Sequence, residues 1–297
     1  MSPDQREDLY LFTDCDIDGA GCYYILRKII GVDFGHKQTT EKKFRDDFIQ
    51  LANKDKYKKI YICDLSVLEN NLDIIDLPNV VFINHRSTPT QTFHKNLRFE
   101  SQDSSSCTLL LYKKLKDKFK APLTKEEKTL IALIDDYDSY QLKFSDSKKI
   151  HYLFSTLADD KLLNFYNAFR AGFTGFTDVQ ENSINNIINK IESTFTSLKI
   201  FKGTLKIGSN NMIVCSTFNN FFPSEICDSV IKRFDCDIVI NVNLNTSSVS
   251  IRKKKGCGVN LGAFAKKIFD GGGDECVAGG KITKAFLELS KQLYPIT

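Results

Sequence analysis

The residues best suited to chemistry are three aspartates near the N-terminus, spaced at every second position after an apolar run. They are Asp14, Asp16 and Asp18 in residues 9–22 (LYLFTDCDIDGAGC), and Gly19 follows them directly. Side chains alternate along a strand but can converge in the turn beyond it. Close carboxylates repel one another unless a cation lies between them, and hard oxygen ligands bind magnesium, manganese or calcium. The stretch therefore predicts a strand that delivers carboxylates to a divalent cation.

The same spacing has three other interpretations. An EF-hand calcium loop needs an acid at its twelfth position, which is Ile25 here, and a helix where residues 8–12 have the pattern of a strand. A haloacid-dehalogenase-like phosphatase also has D-x-D after a strand, but it favours Thr or Val where Asp18 stands. A solvated acidic turn is the third interpretation for the motif taken alone.

Two further apolar runs end in side chains that can bind a metal. Residues 59–63 (KIYIC) precede Asp64, and residues 79–83 (NVVFI) are followed within two positions by His85. The segments between the three runs are long enough for crossover helices, which is typical of a doubly wound, mainly parallel sheet. Sites in such sheets form beyond the carboxyl ends of the strands. We therefore expect an α/β N-terminal domain with these side chains at one edge of the sheet.

A helix predicted over residues 124–140 carries three more carboxylates near its end, Asp135, Asp136 and Asp138. A single acid in this position is more often a helix cap or a solvated side chain. Because acids recur after the predicted strands as well, we expect one of the three to complete the site.

Together these motifs resemble the DHH/DHHA1 phosphoesterase superfamily, which includes the exonuclease RecJ, nano-RNases and cyclic-dinucleotide phosphodiesterases. Four N-terminal motifs correspond in order: TDCDIDGAG, CDLS, INHRST and IDDYDSY. The C-terminal accessory domain is matched by residues 250–252 (SIR) and 271–279 (GGGDECVAG). The resemblance implies a phosphate-contacting arginine and a glycine-rich substrate loop. These would be Arg252 and the group Gly271, Gly272, Gly273 and Asp274.

The sequence departs from the family pattern in its namesake motif and in its glycine loop. Asn84-His85-Arg86 stands in place of Asp-His-His, and Asp274 stands where histidine is usual. Asp14 occupies a position where many relatives have histidine. Two interpretations follow. Either the site is more acidic and still binds two cations, with Arg86 as a fixed positive contact to phosphate, or the chemistry is weakened and binding remains.

The resemblance implies a centre of two manganese or magnesium ions. Its predicted ligands are Asp14, Asp16, Asp18, Asp64, His85 and Asp136. In the family the position of Asp64 bridges both ions, and the comparison favours Asp136 over the two neighbouring aspartates. The predicted catalytic residues are Asp64, His85 and Arg86, and the ions would position a hydroxide for in-line attack and neutralise the leaving oxygen.

The expected function is therefore a hydrolase, a phosphodiesterase or exonuclease. Its substrates would be short oligonucleotides, single-stranded nucleic acid or cyclic dinucleotides. Two alternatives remain open. The chain could be a catalytically weakened relative that binds nucleic acid or a nucleotide, or it could be a phosphatase of small nucleotides.

Composition agrees with this expectation. The 297 residues, 42% of them hydrophobic, suffice for two domains with separate cores, and a net charge of +4 is too small to indicate nucleic acid by itself. We expect a catalytic domain over 1–175, a connecting helix over 176–200 and a small α+β substrate-binding domain over 201–297, with substrate between the domains. No apolar run is long enough for a bilayer and no signal-like segment occurs, so a cytoplasmic, membrane-free protein is expected. Nine scattered cysteines predict reduced, mostly buried thiols.

Overall fold

A computed structural model of the protein describes most of the chain and divides it into two units. The described residues are 8–51, 56–66, 71–85, 106–119, 121–273 and 275–295. The N-terminal unit is Met1–Ile184 and the C-terminal unit is Asn185–Thr297. The boundary between the units lies within one long helix, Asp178–Ser197.

Among its described residues, the N-terminal unit has four short strands, seven complete α-helices and the first part of an eighth. Its elements are β1 Leu9–Thr13, α1 Ile17–Ile30, β2 Gly35–Gln38, α2 Phe44–Gln50, β3 Lys59–Cys63, α3 Leu72–Ile75, β4 Val80–Ile83, α4 Cys107–Leu115, α5 Lys125–Asp138, α6 Ser145–Thr156, α7 Lys161–Ala168 and α8 Asp178–Ser197. The strands form a parallel sheet in the order β2-β1-β3-β4. The predicted α/β fold with a parallel sheet is confirmed.

The core of this unit explains why the apolar runs become strands. Phe12, Ile62 and Phe82 project from one face of the sheet into a cluster that includes Phe44 of α2 and Ile74 of α3. Helix α1 contacts β1 and also α4, α5 and α7, and it is buried over most of its length. A helix apolar on nearly all sides belongs in such an interior position.

The strand order creates a switch point between β1 and β3. The chain leaves β1 for β2 on one side and later returns to place β3 on the other side of β1. At such a switch point the loops that follow the two strands diverge from neighbouring strand ends, which is where ligands bind in open α/β sheets. These two loops carry Asp14, Asp16 and Asp64 of the predicted carboxylates.

The C-terminal unit is built on a mixed sheet packed against helices. Its elements are β5 Ile200–Ile207, β6 Asn210–Phe218, α9 Pro223–Phe234, β7 Ile238–Asn243, β8 Ser248–Lys253, α10 Leu261–Ile268, β9 Gly272–Gly273, β10 Val277–Lys281, α11 Lys284–Ser290 and β11 Tyr294–Pro295. The strand order is β11-β5-β6-β7-β8-β10-β9, and only the β6–β7 pair is parallel among the described strands. The core joins Ile240 and Ile251 of the sheet to Phe264, Phe269 and Phe286. The predicted α+β character is confirmed.

No helix in the described part of the chain combines the length and the apolar character that a membrane span requires.

Candidate metal centre

The turn after β1 holds the first two predicted ligands. Asp16 is the N-cap of α1, and its Oδ1 accepts a hydrogen bond from the Gly19 amide at 2.9 Å. Asp14 Oδ1 accepts from the amide of Cys15 at 2.7 Å. One carboxylate oxygen each of Asp14, Asp16 and Asp64 lies within 4.8 Å of the other two. Three half-buried or buried carboxylates at this spacing fit a divalent cation, because a cation between them relieves their mutual repulsion.

The glycines of this motif are required by close packing. A Cβ at Gly19 would lie 2.4 Å from the carbonyl oxygen of Asp14. A Cβ at Gly21 would lie 2.0 Å from Oγ1 of Thr108 in α4. Helix α1 can therefore approach both the preceding turn and α4 only without side chains at these two positions.

Asp18 is fully buried and lies at the start of α4. Its Oδ2 accepts from the Cys107 amide at 2.7 Å and its Oδ1 from the Thr108 amide at 2.8 Å. A carboxylate at a helix N-terminus satisfies two amides that otherwise lack intrahelical partners. Burial, together with the neighbouring Asp138 carboxylate, raises the pKa of Asp18 well above its usual range. A bound cation would favour the ionised form again.

Asp64 follows β3 in a strained conformation. Its φ of 57° places a non-glycine residue in the left-handed region, at a cost of about 1–3 kcal/mol. The Asp64 amide donates to the carbonyl of Ile83 at 3.0 Å, which ties the end of β3 to the end of β4. Backbone strain that the fold maintains is common at functional sites.

His85 joins two groups of ligands. Its Nε2 lies 3.3 Å from Asp64 Oδ1, 3.5 Å from Asp138 Oδ2 and 3.8 Å from Asp18 Oδ2. Asp18, His85 and Asp138 form a second group whose ligand atoms lie within 4.8 Å of one another. The preceding residue, Asn84, is buried and donates from Nδ2 to the Leu65 carbonyl at 2.9 Å. An aspartate could not donate this bond, so the amide at this position holds the β3 and β4 ends together.

The structure places Asp138, rather than the predicted Asp136, beside the histidine. Asp136 instead accepts from the amides of Lys143 and Phe144, each at 3.0 Å, and from Ser147 Oγ at 2.6 Å. Although burial alone would raise the pKa of Asp136, these hydrogen bonds lower it below the usual value. Asp136 is therefore a cap for the chain that enters α6.

Helix geometry explains why Asp138 and not Asp136 lies beside His85. Residues two positions apart on a helix are separated by about 200° of rotation about the helix axis. The side chains of Asp136 and Asp138 therefore point to opposite sides of α5. Asp138 lies seven residues after Ile131 and four residues after Ile134, both of which are buried, so it shares their face of α5. The apolar stripe of α5 was the sequence signal that could have identified Asp138 as the acid that faces the site. The third acid, Asp135, accepts from the Ser106 amide at 2.6 Å.

The predicted substrate residues of the C-terminal unit have protein partners. Arg252 in β8 donates to Ser224 Oγ, in the first turn of α9, at 2.6 Å. The glycine run forms β9, which pairs with β10 as a short hairpin. A Cβ at Gly271 would lie 1.9 Å from the carbonyl oxygen of Gly279. At this position glycine is required by the hairpin itself.

Two predicted site residues, Arg86 and Asp274, lie outside the described residues. Among the described residues of the N-terminal unit, the candidate ligands form two adjoining groups with five carboxylates and one imidazole, and Asp138 is the member that was not predicted. Such hard donors suit Mg²⁺ or Mn²⁺.

The fold is shared with two solved structures of enzymes or enzyme-related proteins. The pGpG-specific phosphodiesterase PggH from Vibrio cholerae is 14% identical, with a TM-score of 0.56 over 95% of this chain and 96% of that chain. An exopolyphosphatase-related protein from Bacteroides fragilis is 12% identical, with a TM-score of 0.54 over 97% and 91%. No protein-family model matches the sequence, and no curated protein matches it. These likenesses establish a common fold.

Proposed function

We propose that the protein is a metal-dependent phosphodiesterase that hydrolyses short oligonucleotides. The observation that carries this proposal is the pair of ligand groups joined where His85 contacts Asp64. Each group offers three donors, which is the number that a catalytic ion needs while keeping positions open for water and phosphate.

Each side chain has a distinct part in the proposed centre. When bound, two manganese or magnesium ions would supply a hydroxide nucleophile and neutralise charge on the leaving oxygen. One ion would be held by Asp14, Asp16 and Asp64, and the other by Asp18, His85 and Asp138. Asp64 is suited to bridge them, because it belongs to the first group and contacts the histidine of the second. Arg86, next to His85 in sequence, would contact phosphate through its guanidinium.

The proposed substrate class has separate support. A protein of similar fold is named for its action on pGpG, a linear dinucleotide. A hydrolase of such short chains needs few base contacts and a firm hold on phosphate, for which we propose Arg252 and the loop Gly271, Gly272, Gly273 and Asp274. Single-stranded nucleic acid and cyclic dinucleotides are further candidate substrates.

The test is a turnover assay with matched variants. Purified protein is incubated with pGpG, RNA and DNA di- and pentanucleotides and cyclic di-GMP, in Mn²⁺, Mg²⁺ or chelator. We expect cleavage that requires the metal and falls more than about 100-fold in Asp64→Asn, since loss of even an outer-shell partner typically costs 10–100-fold. Asp117→Asn, at an exposed position in the same unit, should leave turnover unchanged. Equal turnover in Asp64→Asn and wild type would refute the proposed centre.

A second candidate function is phosphatase activity on small nucleotides. The similar fold of an exopolyphosphatase-related protein favours testing it. Release of inorganic phosphate from mononucleotides, with no cleavage of pGpG or longer chains, would replace the first proposal. Binding of oligonucleotide without turnover under every metal condition would instead indicate a catalytically weakened binding module.

A further inference from the structure

Three cysteines in the N-terminal unit meet in its interior. Cys22, Cys63 and Cys107 are each 0% exposed, and their sulfur atoms all lie within 4.8 Å of one another. We call them the thiol group. The C-terminal unit also has buried cysteines, such as Cys227, but no comparable group of three occurs elsewhere among the described residues.

The thiol group is assembled by three separate elements. Cys22 lies one turn after Asp18 in α1, Cys63 is the last residue of β3, and Cys107 is the first residue of α4. The Cys107 thiol donates to the carbonyl of Ile83 at 3.3 Å. Because no two of the three are close in sequence, their convergence is a property of the packed core rather than of a local turn.

The sulfur spacing suits a bound ion. With metal–sulfur bonds of about 2.3 Å, three sulfurs around one ion lie roughly 4 Å apart. All three sulfurs lie within 4.8 Å of one another, which is compatible with that spacing. Thiolates select soft ions such as copper(I) and zinc, whereas the oxygen ligands nearby select hard ions.

Coordination number distinguishes the two soft ions. Structural zinc takes four protein ligands, and zinc bound by three keeps a water. The thiol group has three donors, no fourth histidine, cysteine or carboxylate belongs to it among the described residues, and its sulfurs are shielded from solvent. Copper(I) accepts three sulfur ligands in a plane and needs no water. We propose that Cys22, Cys63 and Cys107 form a sulfur site for a monovalent, thiophilic cation of the copper(I) class, separate from the oxygen-rich metal centre.

Occupation of this site would brace the proposed hydrolytic centre. Cys63 immediately precedes Asp64, and the amide of Cys107 donates to Asp18. An ion held by all three sulfurs would cross-link β3, α1 and α4. Since a ligand that binds only the folded state stabilises it, the loaded protein should unfold at a higher temperature.

The first test measures binding in the full-length protein. Cysteines Cys15 and Cys276 are exposed, so both are changed to serine to remove competing thiols. Under anaerobic conditions and with excess Mg²⁺, this protein is titrated with copper(I) held by a chromophoric chelator. We expect one copper(I) per chain to transfer to the protein, with sulfur-to-copper charge-transfer absorption in the ultraviolet. Failure to take copper(I) from the chelator would overturn the proposal.

The second test locates the site. Cys22→Ser, Cys63→Ser and Cys107→Ser, made in the same background, should each weaken copper(I) binding at least tenfold. Cys227→Ser, an equally buried position in the C-terminal unit, should bind as the parent does. Unchanged binding in all three variants would refute the assignment.

A third measurement needs no core variant and so does not depend on whether such variants fold. The X-ray absorption spectrum of the copper-loaded parent should show three sulfur neighbours at about 2.3 Å. Nitrogen or oxygen neighbours would contradict the sulfur site. Turnover is not used as a readout, so this inference stands or falls separately from the proposed phosphodiesterase.

Discussion

The two units of the molecule give their predicted site residues different surroundings. In the N-terminal unit, carboxylates from the start of α1, the end of β3 and the end of α5 converge on His85. In the C-terminal unit, the glycine run closes a hairpin and Arg252 donates to Ser224. A parallel sheet with a switch point collects loops from several strands at one edge, whereas an antiparallel hairpin pairs a segment with its own neighbour. Ligand convergence is thus a product of topology, and the glycine pattern is a product of local pairing.

The largest effect should separate the two acids of α5. Asp138→Asn removes a donor of the second ligand group and should lower turnover more than about 100-fold, beyond the cost of an outer-shell change. Asp136→Asn replaces one accepting oxygen by an amide nitrogen that cannot accept a hydrogen bond, so it should lower stability by about 1–2 kcal/mol while turnover of the folded protein stays within a few-fold. Steady-state kinetics measure the turnover, and urea unfolding measures the stability. The reverse pattern would restore Asp136 as the ligand.

His151 should make the N-terminal unit, and not the C-terminal unit, less stable as the pH falls. All four histidines lie before residue 152, and burial, aided by the positive Lys161, lowers the pKa of His151 to about 4. In the unfolded chain the same imidazole takes up its proton near pH 6.5, whereas the folded protein resists protonation down to about pH 4. The free energy of unfolding therefore falls by about 1–3 kcal/mol as the pH drops from about 6.5 to 4.

This loss should be smaller in His151→Phe, which keeps a ring stacked on Tyr137. Urea unfolding at several pH values, with intact C-terminal structure followed by hydrogen exchange, provides the measurement. An identical pH dependence in wild type and His151→Phe would remove His151 as the cause.

The glycine hairpin offers a test of local pairing. Gly271→Ala puts a Cβ against the Gly279 carbonyl, so we expect about 1–3 kcal/mol of destabilisation from overpacking. Gly258→Ala, in the same unit, meets no atom within 4 Å and provides the control. Thermal unfolding of both variants checks the difference. Equal melting temperatures would mean that the run is not required by the hairpin and would strengthen a purely substrate-binding role.

The smallest effect is expected at Arg252. Arg252→Ala removes the hydrogen bond to Ser224, worth about 1 kcal/mol, and the proposed phosphate contact. We expect KM for pGpG to rise about tenfold, which corresponds to 1.4 kcal/mol, with kcat nearly unchanged. Ser224→Ala removes the same hydrogen bond but keeps the guanidinium. If both variants raise KM equally, Arg252 acts through the fold and not through phosphate.

The sequence by itself determined the fold class and indicated where the candidate metal ligands lie. Apolar runs that end in Asp14, Asp64 and His85 predict parallel strands, because parallel strands are buried on both faces and their sites lie at their carboxyl ends. The close spacing of Asp14, Asp16 and Asp18 predicts a cation from charge repulsion alone. Both arguments depend only on residues that are close together in the sequence, so they can be made without the tertiary structure.

Only the tertiary structure decided which acid of α5 lies beside His85 and which cysteines meet. The choice between Asp136 and Asp138 depends on how α5 is rotated about its axis, and that rotation is set by packing of the whole helix. Cys22, Cys63 and Cys107 are separated by more than 40 residues in each case, so no spacing rule connects them. Contacts of this kind are fixed when distant elements pack into one dense core, where small changes in helix position alter every neighbour.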